Sequence, residues 1–317
     1  MIYNVAYASD QNYAKHVGIS LISLLENNKN LENIHIYIIE DNISEELKEK
    51  LVSIVNRYKR ELTFLNCNKL CENLDVKVNF PKAAFSRLFL DKIDEIDKIL
   101  YLDSDTIINS SIKELYETNI DDYYVAGVQD NAAYYLLKKI GMNKKDRYIN
   151  SGVLLMNLKK WREDNVEEMI VDFIKKHNGK VNHHDQGIIN GVCKKKILIL
   201  NPKYNMMPEM IYLTVKQSNF LYNVHNYYSQ KEIDSAVNEP VVIHYIEKFY
   251  SRPWKCDCTH PLKDKYLNIL NSSEFDKELD KNGMNKHVLL RKKVYDKYPF
   301  LIYVLFEKTL DIRRKFL

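Results

Sequence analysis

The most informative part of this chain is Lys98-Ile99-Leu100-Tyr101-Leu102-Asp103-Ser104-Asp105. Its apolar part predicts a buried strand over Ile99–Leu102, and two carboxylates follow where that strand ends. Residues i and i+2 of an extended chain point to the same side, so Asp103 and Asp105 can reach one cation. A divalent ion held by one or two carboxylates keeps positions open for substrate phosphates. An Asp-x-Asp triplet alone is also typical of a solvated turn, and the surrounding sequence must decide between the two interpretations.

Strand-like and helix-like segments alternate on both sides of this stretch. Further strands are predicted over Ile2–Ala8, Ile34–Ile39, Leu62–Leu65, Val125–Val128, Gly152–Met156, Ile197–Leu200 and Val241–His244. Helices are predicted over Asn12–Glu26, from an N-cap at Ser44 toward Tyr58, over Ala83–Leu90, and from Leu158. Such alternation is typical of an α/β fold with a mainly parallel sheet, whose carboxyl edge binds ligands.

The composition is that of an ordinary globular protein, with 45% hydrophobic and 28% charged residues in a chain of 317. A net charge of +4 is too small to predict a nucleic-acid partner. The segment Met1–Ala8 lacks the basic start of a signal peptide, and no apolar run approaches the roughly 20 residues of a membrane span. Five scattered cysteines fit a reducing compartment. We therefore expect a cytoplasmic protein.

The C-terminal segment differs in charge from the rest of the chain. We divide the chain into a catalytic domain, residues 1–260, and a helical tail, residues 261–317. Residues 286–317 interleave nine Lys/Arg and three Asp/Glu with aliphatic and aromatic side chains. An apolar helix face would be formed by Phe300, Leu301, Val304 and Leu305. Two interpretations stay open: peripheral attachment to the anionic inner face of a membrane, or packing on the domain or on a partner chain.

Several short motifs occur in a fixed order along residues 1–258. They are Ala8-Ser9-Asp10-Gln11-Asn12-Tyr13, Phe85-Ser86-Arg87, Leu100–Asp105, Asn150–Asn157, Asp185-Gln186, and His244-Tyr245 followed by Pro253-Trp254. Together they resemble glycosyltransferase family 8, the retaining transferases that include glycogenin and bacterial lipooligosaccharide galactosyltransferases. The resemblance implies a GT-A type, Rossmann-like nucleotide-sugar transferase domain with a mainly parallel mixed sheet.

The resemblance also implies a metal and a donor site. Asp103, Asp105 and His244 would hold the ion, and one imidazole beside two carboxylates favours Mn²⁺, with Mg²⁺ as the alternative. By itself, a histidine at a strand end is more often structural. Donor-binding positions are implied at Ala8, Asp10, Asn12, Arg87, Asp103, Ser104, Asn150 and Gly152. Asp10 can accept the uracil N–H and Asn12 can bond ribose hydroxyls, although Asp10 could instead cap a helix.

Asp130, Asp185 and Gln186 are implied to act at the donor sugar. Gln186 would lie near the anomeric carbon, and front-face attack by the acceptor hydroxyl is expected because an amide is a poor nucleophile. The implied reaction moves galactose or glucose, with retention, from a UDP-sugar to a glycan, glycolipid or glycoprotein. The alternative is a non-catalytic or hydrolytic UDP-sugar-binding protein. A glycoside hydrolase is disfavoured, because Asp103 and Asp105 are too close in sequence to flank a glycosidic bond readily.

One segment departs from the family pattern His-x-x-Gly-x-x-Lys-Pro-Trp. Here Glu247 stands in place of the glycine, and the basic residue before Pro253-Trp254 is Arg252, two residues late. The family's lysine contacts the diphosphate, so Lys248 and Arg252 are both candidates for that role. A carboxylate at position 247 would repel a diphosphate unless it points away from it.

Overall fold

The computed structural model describes residues 1–72, 74, 82–224 and 226–316. Its strands are β1 (Tyr3–Asp10), β2 (Ile34–Asp41), β3 (Glu61–Asn66), β4 (Lys98–Leu102), β5 (Thr106–Ile108), β6 (Val125–Gln129), β7 (Ile149–Asn157), β8 (Ile197–Ile199) and β9 (Val242–His244). Its helices are α1 (Ala14–Glu26), α2 (Glu45–Arg57), α3 (Cys67–Leu70), α4 (Lys82–Ser86), α5 (Lys113–Glu117), α6 (Tyr134–Lys139), α7 (Leu158–Glu163), α8 (Val166–Lys176), α9 (His184–Cys193), α10 (Pro208–Tyr212), α11 (Val215–Tyr222), α12 (Gln230–Asn238), α13 (Lys263–Ser272), α14 (Lys286–Lys297) and α15 (Phe300–Phe316). Two 3₁₀ helices cover Arg87–Lys92 and Pro202–Asn205.

Seven strands form the main sheet, in the order β3-β2-β1-β4-β7-β6-β8. The pairs β1–β2, β2–β3, β1–β4 and β6–β8 are parallel, whereas β7 runs antiparallel to β4 and β6. The predicted mainly parallel mixed sheet is confirmed. Since β1 and β4 are parallel neighbours, Asp10 and Asp103 lie at the same edge. Antiparallel β7 begins at that edge, where the Asp103 N–H donates to the Gly152 carbonyl at 2.8 Å.

The sheet buries apolar side chains on both faces. Successive residues of a strand point to opposite faces, so Val5 and Tyr7 of β1 pack into the core beside α1, while Ala6 packs into the other core. That second core contains Trp161 of α7, which is fully buried and donates its indole N–H to the Tyr124 carbonyl at 2.9 Å. Helices thus cover both faces and leave the carboxyl edge open.

Three local features differ from the sequence-based expectations. The helix predicted over Ala83–Leu90 stops at Ser86 and continues as a 3₁₀ helix, inside which Phe89 has non-helical φ/ψ. Ser44 takes the N-cap position of α2, but its side chain accepts no capping bond; its N–H donates to Gln11 Oε1 instead. The strand predicted over Val241–His244 joins no long sheet, because it pairs with β5 in a separate two-stranded sheet.

The helical character of the C-terminal region is confirmed. Its helices α13 and α15 pack on different parts of the protein. Tyr266 and Leu270 of α13 are buried in the core that contains α1. In α15, Tyr303 is buried against Phe249, whereas Leu301 and Leu305 are 64% and 63% exposed. The basic side chains Arg313, Arg314 and Lys315, and residue Leu317, lie outside the described residues. The division of the chain at residue 260 stays a prediction.

Among the described residues, no helix combines the length and the apolar character needed to cross a membrane.

Asp91 carries a buried carboxyl group near the end of the 3₁₀ helix that precedes β4. It is buried, and its Oδ1 has no hydrogen-bond partner among the residues that the structure describes. Burial, together with the nearby charge of Glu167, raises the pKa of Asp91 to about 6. Because the folded chain holds this proton more tightly than the unfolded chain, ionisation of Asp91 costs stability at neutral pH.

Asp91→Asn is expected to raise the free energy of unfolding at pH 7 by roughly 2–3 kcal/mol, because the amide carries no charge to desolvate. The gain should shrink as the pH falls below 6, where Asp91 of the folded chain becomes protonated. Urea unfolding at pH 7 and at pH 4.5 measures both values. Asp94→Asn, at an exposed neighbouring position, is the matched control and should change little. An equal gain at both pH values would contradict the assignment of the cost to Asp91 ionisation.

Candidate active site at the carboxyl edge of the sheet

Strand pairing brings His244 beside the Asp pair. The antiparallel register of β5 and β9 sets Thr106 opposite His244. His244 Nε2 lies 3.1 Å from Asp105 Oδ1 and 3.7 Å from Asp103 Oδ2. Ligand atoms of these three residues all lie within 4.8 Å of one another. Glycine at position 152 leaves room for the His244 ring, because a Cβ there would lie 2.1 Å from His244 Cε1. Two carboxylates and an imidazole at these distances fit one divalent ion.

The guanidinium of Arg87 holds the first carboxylate. Its Nη2 contacts Asp103 Oδ1 at 2.9 Å, and its Nε lies 3.4 Å from Asp185 Oδ2. The same group donates to the carbonyls of Ser151, at 2.9 Å, and Ala84, at 3.0 Å. Burial would lower the pKa of Arg87, but Asp103 and Asp185 raise it above its ordinary value. Arg87 is therefore a permanent cation with acceptors on several sides.

Arg252 holds the second carboxylate. Its Nε and Nη2 donate to Asp105 Oδ2 at 3.2 and 2.9 Å, and its Nη1 donates to the Tyr13 hydroxyl at 3.0 Å. Burial would raise the pKa of Asp105, but His244 and Arg252 lower it well below its ordinary value. Each acid of the pair thus gives one oxygen to a guanidinium and turns the other toward His244.

A chain of amides fixes the orientation of the His244 ring. The backbone N–H of Gly152 donates to Asn150 Oδ1, so Asn205 must present its Nδ2 to that oxygen, at 2.9 Å. Asn205 Oδ1 then faces His244 Nδ1 at 2.9 Å and accepts its proton. The hydrogen-bond network therefore leaves His244 Nε2 directed at the two carboxylates, the arrangement that a metal-binding imidazole requires.

The predicted catalytic residues form a second cluster next to these amides. Gln186 Oε1 accepts from Asn150 Nδ2 at 3.1 Å and from the Ser151 N–H at 3.2 Å. Gln186 Nε2 donates to Asp130 Oδ2 at 3.1 Å. Asp185 accepts from the Ser151 hydroxyl at 2.9 Å, and burial raises its pKa although Arg87 opposes the shift. The structure thus brings together Asp130, Asn150, Asp185 and Gln186.

An open cleft of about 420 Å³ lies over the carboxylates. Its predicted lining residues are Ala8, Asp10, Arg87, Asp103, Ser104, Asp105, Asp185 and Arg252, and the residues not assigned from the sequence are Ser9, Tyr13, Ala83, Ala84 and Ser151. Asn12 lines an adjoining groove. Asp10 Oδ1 accepts the backbone N–H groups of Asn12 and Tyr13, each at 3.0 Å, so Asp10 both borders the cleft and holds the turn that leads into α1; it does not cap the helix itself. Gly152 lies behind the cleft, against His244.

Lys248 and Glu247 point away from this cleft. Lys248 lines a separate cavity of about 200 Å³ and forms an ion pair with Glu209, which raises the pKa of Lys248 against the opposing effect of burial. Glu247 pairs with Lys255 at 3.1 Å and accepts the Asn285 N–H at 2.7 Å. Of the two basic candidates in this loop, the structure places Arg252 at the cleft.

Besides the cleft-lining Ser9, Ala83 and Ala84, the sequence assigned no role to Tyr13, Ser151 and Asn205, which hold the side chains of the site by hydrogen bonds. Tyr13 and Ser151 stand inside quoted motifs, so their position was a usable signal. Asn205 ends a 3₁₀ helix and lies 39 residues from His244 in the chain, so only the folded arrangement shows their contact.

The model of Glycosyl transferase family 8 matches residues 4–258. A lipopolysaccharide 1,2-glucosyltransferase of Escherichia coli is 29% identical over 95% of this chain and 86% of its own length. A lipopolysaccharide 1,3-galactosyltransferase of Salmonella typhimurium is 21% identical over 90% of this chain and 83% of its own length. A galactosyltransferase solved with donor and acceptor sugar analogs matches with a TM-score of 0.73, over 86% of this chain and 97% of that chain, at 24% identity, and so has the same fold. The order of the motifs, the sheet and the family match over most of the chain agree: this protein belongs to glycosyltransferase family 8.

Proposed function

We propose that this family 8 glycosyltransferase moves a hexose, galactose or glucose, from a UDP-sugar to a glycan, glycolipid or glycoprotein acceptor, with retention of configuration and with Mn²⁺. The catalytic unit spans residues 1–260. The observation that carries the proposal is the convergence of Asp103, Asp105 and His244 beneath an open cleft at the edge where β1 and β4 end. Ligands of open α/β sheets bind at such an edge.

The cleft offers suitable groups for each part of a nucleotide sugar. Asp10 and Tyr13 border one end, where a carboxylate can accept the uracil N–H and an aromatic ring can cover a base. The carboxylates of Asp103 and Asp105 lie at the place proposed for the diphosphate, where a bound divalent ion would act as a Lewis acid. Arg252 supplies a guanidinium beside them, whose planar donors suit phosphate oxygens.

Gln186 acts by position rather than as a nucleophile. Both acceptor directions of its Oε1 are used by Asn150 and the Ser151 N–H, and its Nε2 is held by Asp130. An amide oxygen is weakly nucleophilic, and these hydrogen bonds lower the nucleophilicity of the Gln186 oxygen further. This favours front-face attack, in which Gln186 and Asp185 orient the donor sugar and steady positive charge at its anomeric carbon.

A peripheral membrane location fits the C-terminal helices. Leu301, Ile302 and Leu305 of α15 expose apolar surface, and the exposed Lys297 and Lys308 flank it. Apolar side chains beside lysines are typical of helices that lie on an anionic membrane surface. We propose a cytoplasmic enzyme that binds the inner face of the membrane through this part of α15, while Tyr303 and Val304 hold the helix on the protein.

Purified protein is expected to release UDP from UDP-glucose or UDP-galactose when Mn²⁺ is added. Asp103→Asn and Asp105→Asn should each lower this rate by at least ~100-fold, because the ion loses a charged ligand. Proton NMR of the first product formed should show the α-anomer, the configuration of the donor. Asp121→Asn, an exposed carboxylate outside the cleft, is the control.

Three results would separate the proposal from its alternatives. UDP-sugar binding without UDP release, indifferent to metal, would indicate a binding protein. Release without transfer to any glycan acceptor would indicate a hydrolase. Full activity of Asp103→Asn or Asp105→Asn, with unchanged thermal unfolding, would contradict the proposed metal site.

The protein is expected to cosediment with vesicles that contain anionic lipid and to stay in the supernatant with zwitterionic vesicles. Replacing Leu301 and Leu305 together by Glu should return most of the protein to the supernatant, because both apolar and electrostatic attraction are lost. Val52→Glu, on the exposed side of α2, is the matched control and should still sediment. Equal recovery of all three proteins in the supernatant would contradict membrane attachment.

A further inference from the structure

The two guanidiniums at the Asp pair differ in how firmly they are held. The Arg87 side chain is 7% exposed, and carbonyls of Ala84 and Ser151 share its donors with the carboxylates. The Arg252 side chain is 25% exposed, and its partners are Asp105 and the Tyr13 hydroxyl, both of which line the cleft. Arg87 is fixed inside the protein, whereas both hydrogen-bond acceptors of the Arg252 guanidinium face the proposed donor.

The backbone beside Arg252 is anchored through Trp254, whose ring centroid also lies 5.6 Å from the Arg252 guanidinium. Trp254 is buried and stacks on His16 with ring centroids 3.8 Å apart. His16 Nδ1 in turn lies 2.7 Å from the Tyr266 hydroxyl of α13. The Arg252 guanidinium can therefore change partners by rotation of its side chain, while Trp254 keeps the loop in place.

The charges at the site show when such a change is favourable. Asp103, Asp105 and Asp185 face Arg87 and Arg252, so three carboxylates meet two guanidiniums. With His244 neutral, as a ligand of the ion must be, a divalent ion added alone would leave one net positive charge among these groups, with Arg252 held against a ligand of the ion. A diphosphate restores the negative balance and offers Arg252 new acceptors, to which a guanidinium fork is well suited.

We propose that Arg252 couples binding of the metal to binding of the diphosphate. Its N–H groups donate to Asp105 until the metal and the diphosphate have both bound, and then donate to the phosphate oxygens instead. This inference rests on the proposed function and assigns to Arg252 a role beyond diphosphate contact. Arg252 therefore weakens binding of the metal when no nucleotide is bound, and strengthens binding of the metal when the nucleotide is bound. By linkage, the metal must strengthen UDP binding by the same factor.

Mn²⁺ titration followed by electron paramagnetic resonance, with and without saturating UDP, tests the coupling without any turnover. For the wild-type chain, UDP should tighten Mn²⁺ binding strongly. Arg252→Met should bind Mn²⁺ alone about tenfold more tightly than wild type, because a repelling charge is gone. The tightening by UDP should then fall by about tenfold or more. Arg252→Lys, which keeps the charge but not the fork, should retain part of the coupling.

Lys159→Met is the control, since Lys159 is exposed, lies outside the site and pairs with Glu163 and not with a metal-ligating carboxylate. Its Mn²⁺ binding should equal that of wild type. If Arg252→Met binds Mn²⁺ alone more weakly than wild type, Arg252 only orients Asp105. If UDP tightens Mn²⁺ binding by the same factor in Arg252→Met as in wild type, Arg252 does not couple the two ligands. Either result overturns the inference. Absence of Mn²⁺ binding in wild type even with UDP would instead overturn the metal of the proposed function, and this inference with it.

Discussion

Ionised carboxylates that share a buried sheet edge need positive charge among them, and the guanidinium of Arg87 meets this constraint. It reaches the end of β4 through Asp103, the start of β7 through the Ser151 carbonyl, and the first turn of α9 through Asp185. It also closes the turn at Ala84. Removing one partner of such a buried group leaves an uncompensated charge, so the geometry of the strand ends and the electrostatics of the site depend on the same side chain.

Orientation, as distinct from charge, is carried by neutral amides. Asn205 and Asn150 connect the ring of His244 to Gln186 by successive hydrogen bonds. Each amide has a donor end and an acceptor end, so the Gly152 N–H at one point determines the direction of the whole chain. The proposed metal side and the proposed sugar side of the site are therefore aligned by one network that adds no charge to either.

The sequence predicted the central sheet well, because buried parallel strands appear as short apolar runs followed by polar residues. It also placed the Asp pair at the correct edge. It missed β5, whose three residues give too short a signal, and with it the register that sets His244 beside Asp105. Asn205 escaped notice for a related reason: its role exists only once distant segments meet. The partner of Arg252 could not be read from spacing, because rotamers and ion pairs decide it.

Glu247, at the position where the family pattern has glycine, joins the loop of the site to the start of α14. Its carboxylate binds Lys255 and the Asn285 N–H, and Phe249 stacks on Tyr212 beside α14 and α15. The loop that ends in Arg252 is thus built partly from the C-terminal helices. A chain shortened before α14 would lose contacts that support the loop of the proposed active site, as well as any surface that α15 shows to lipid. Inactivity of such a fragment would not identify a membrane requirement.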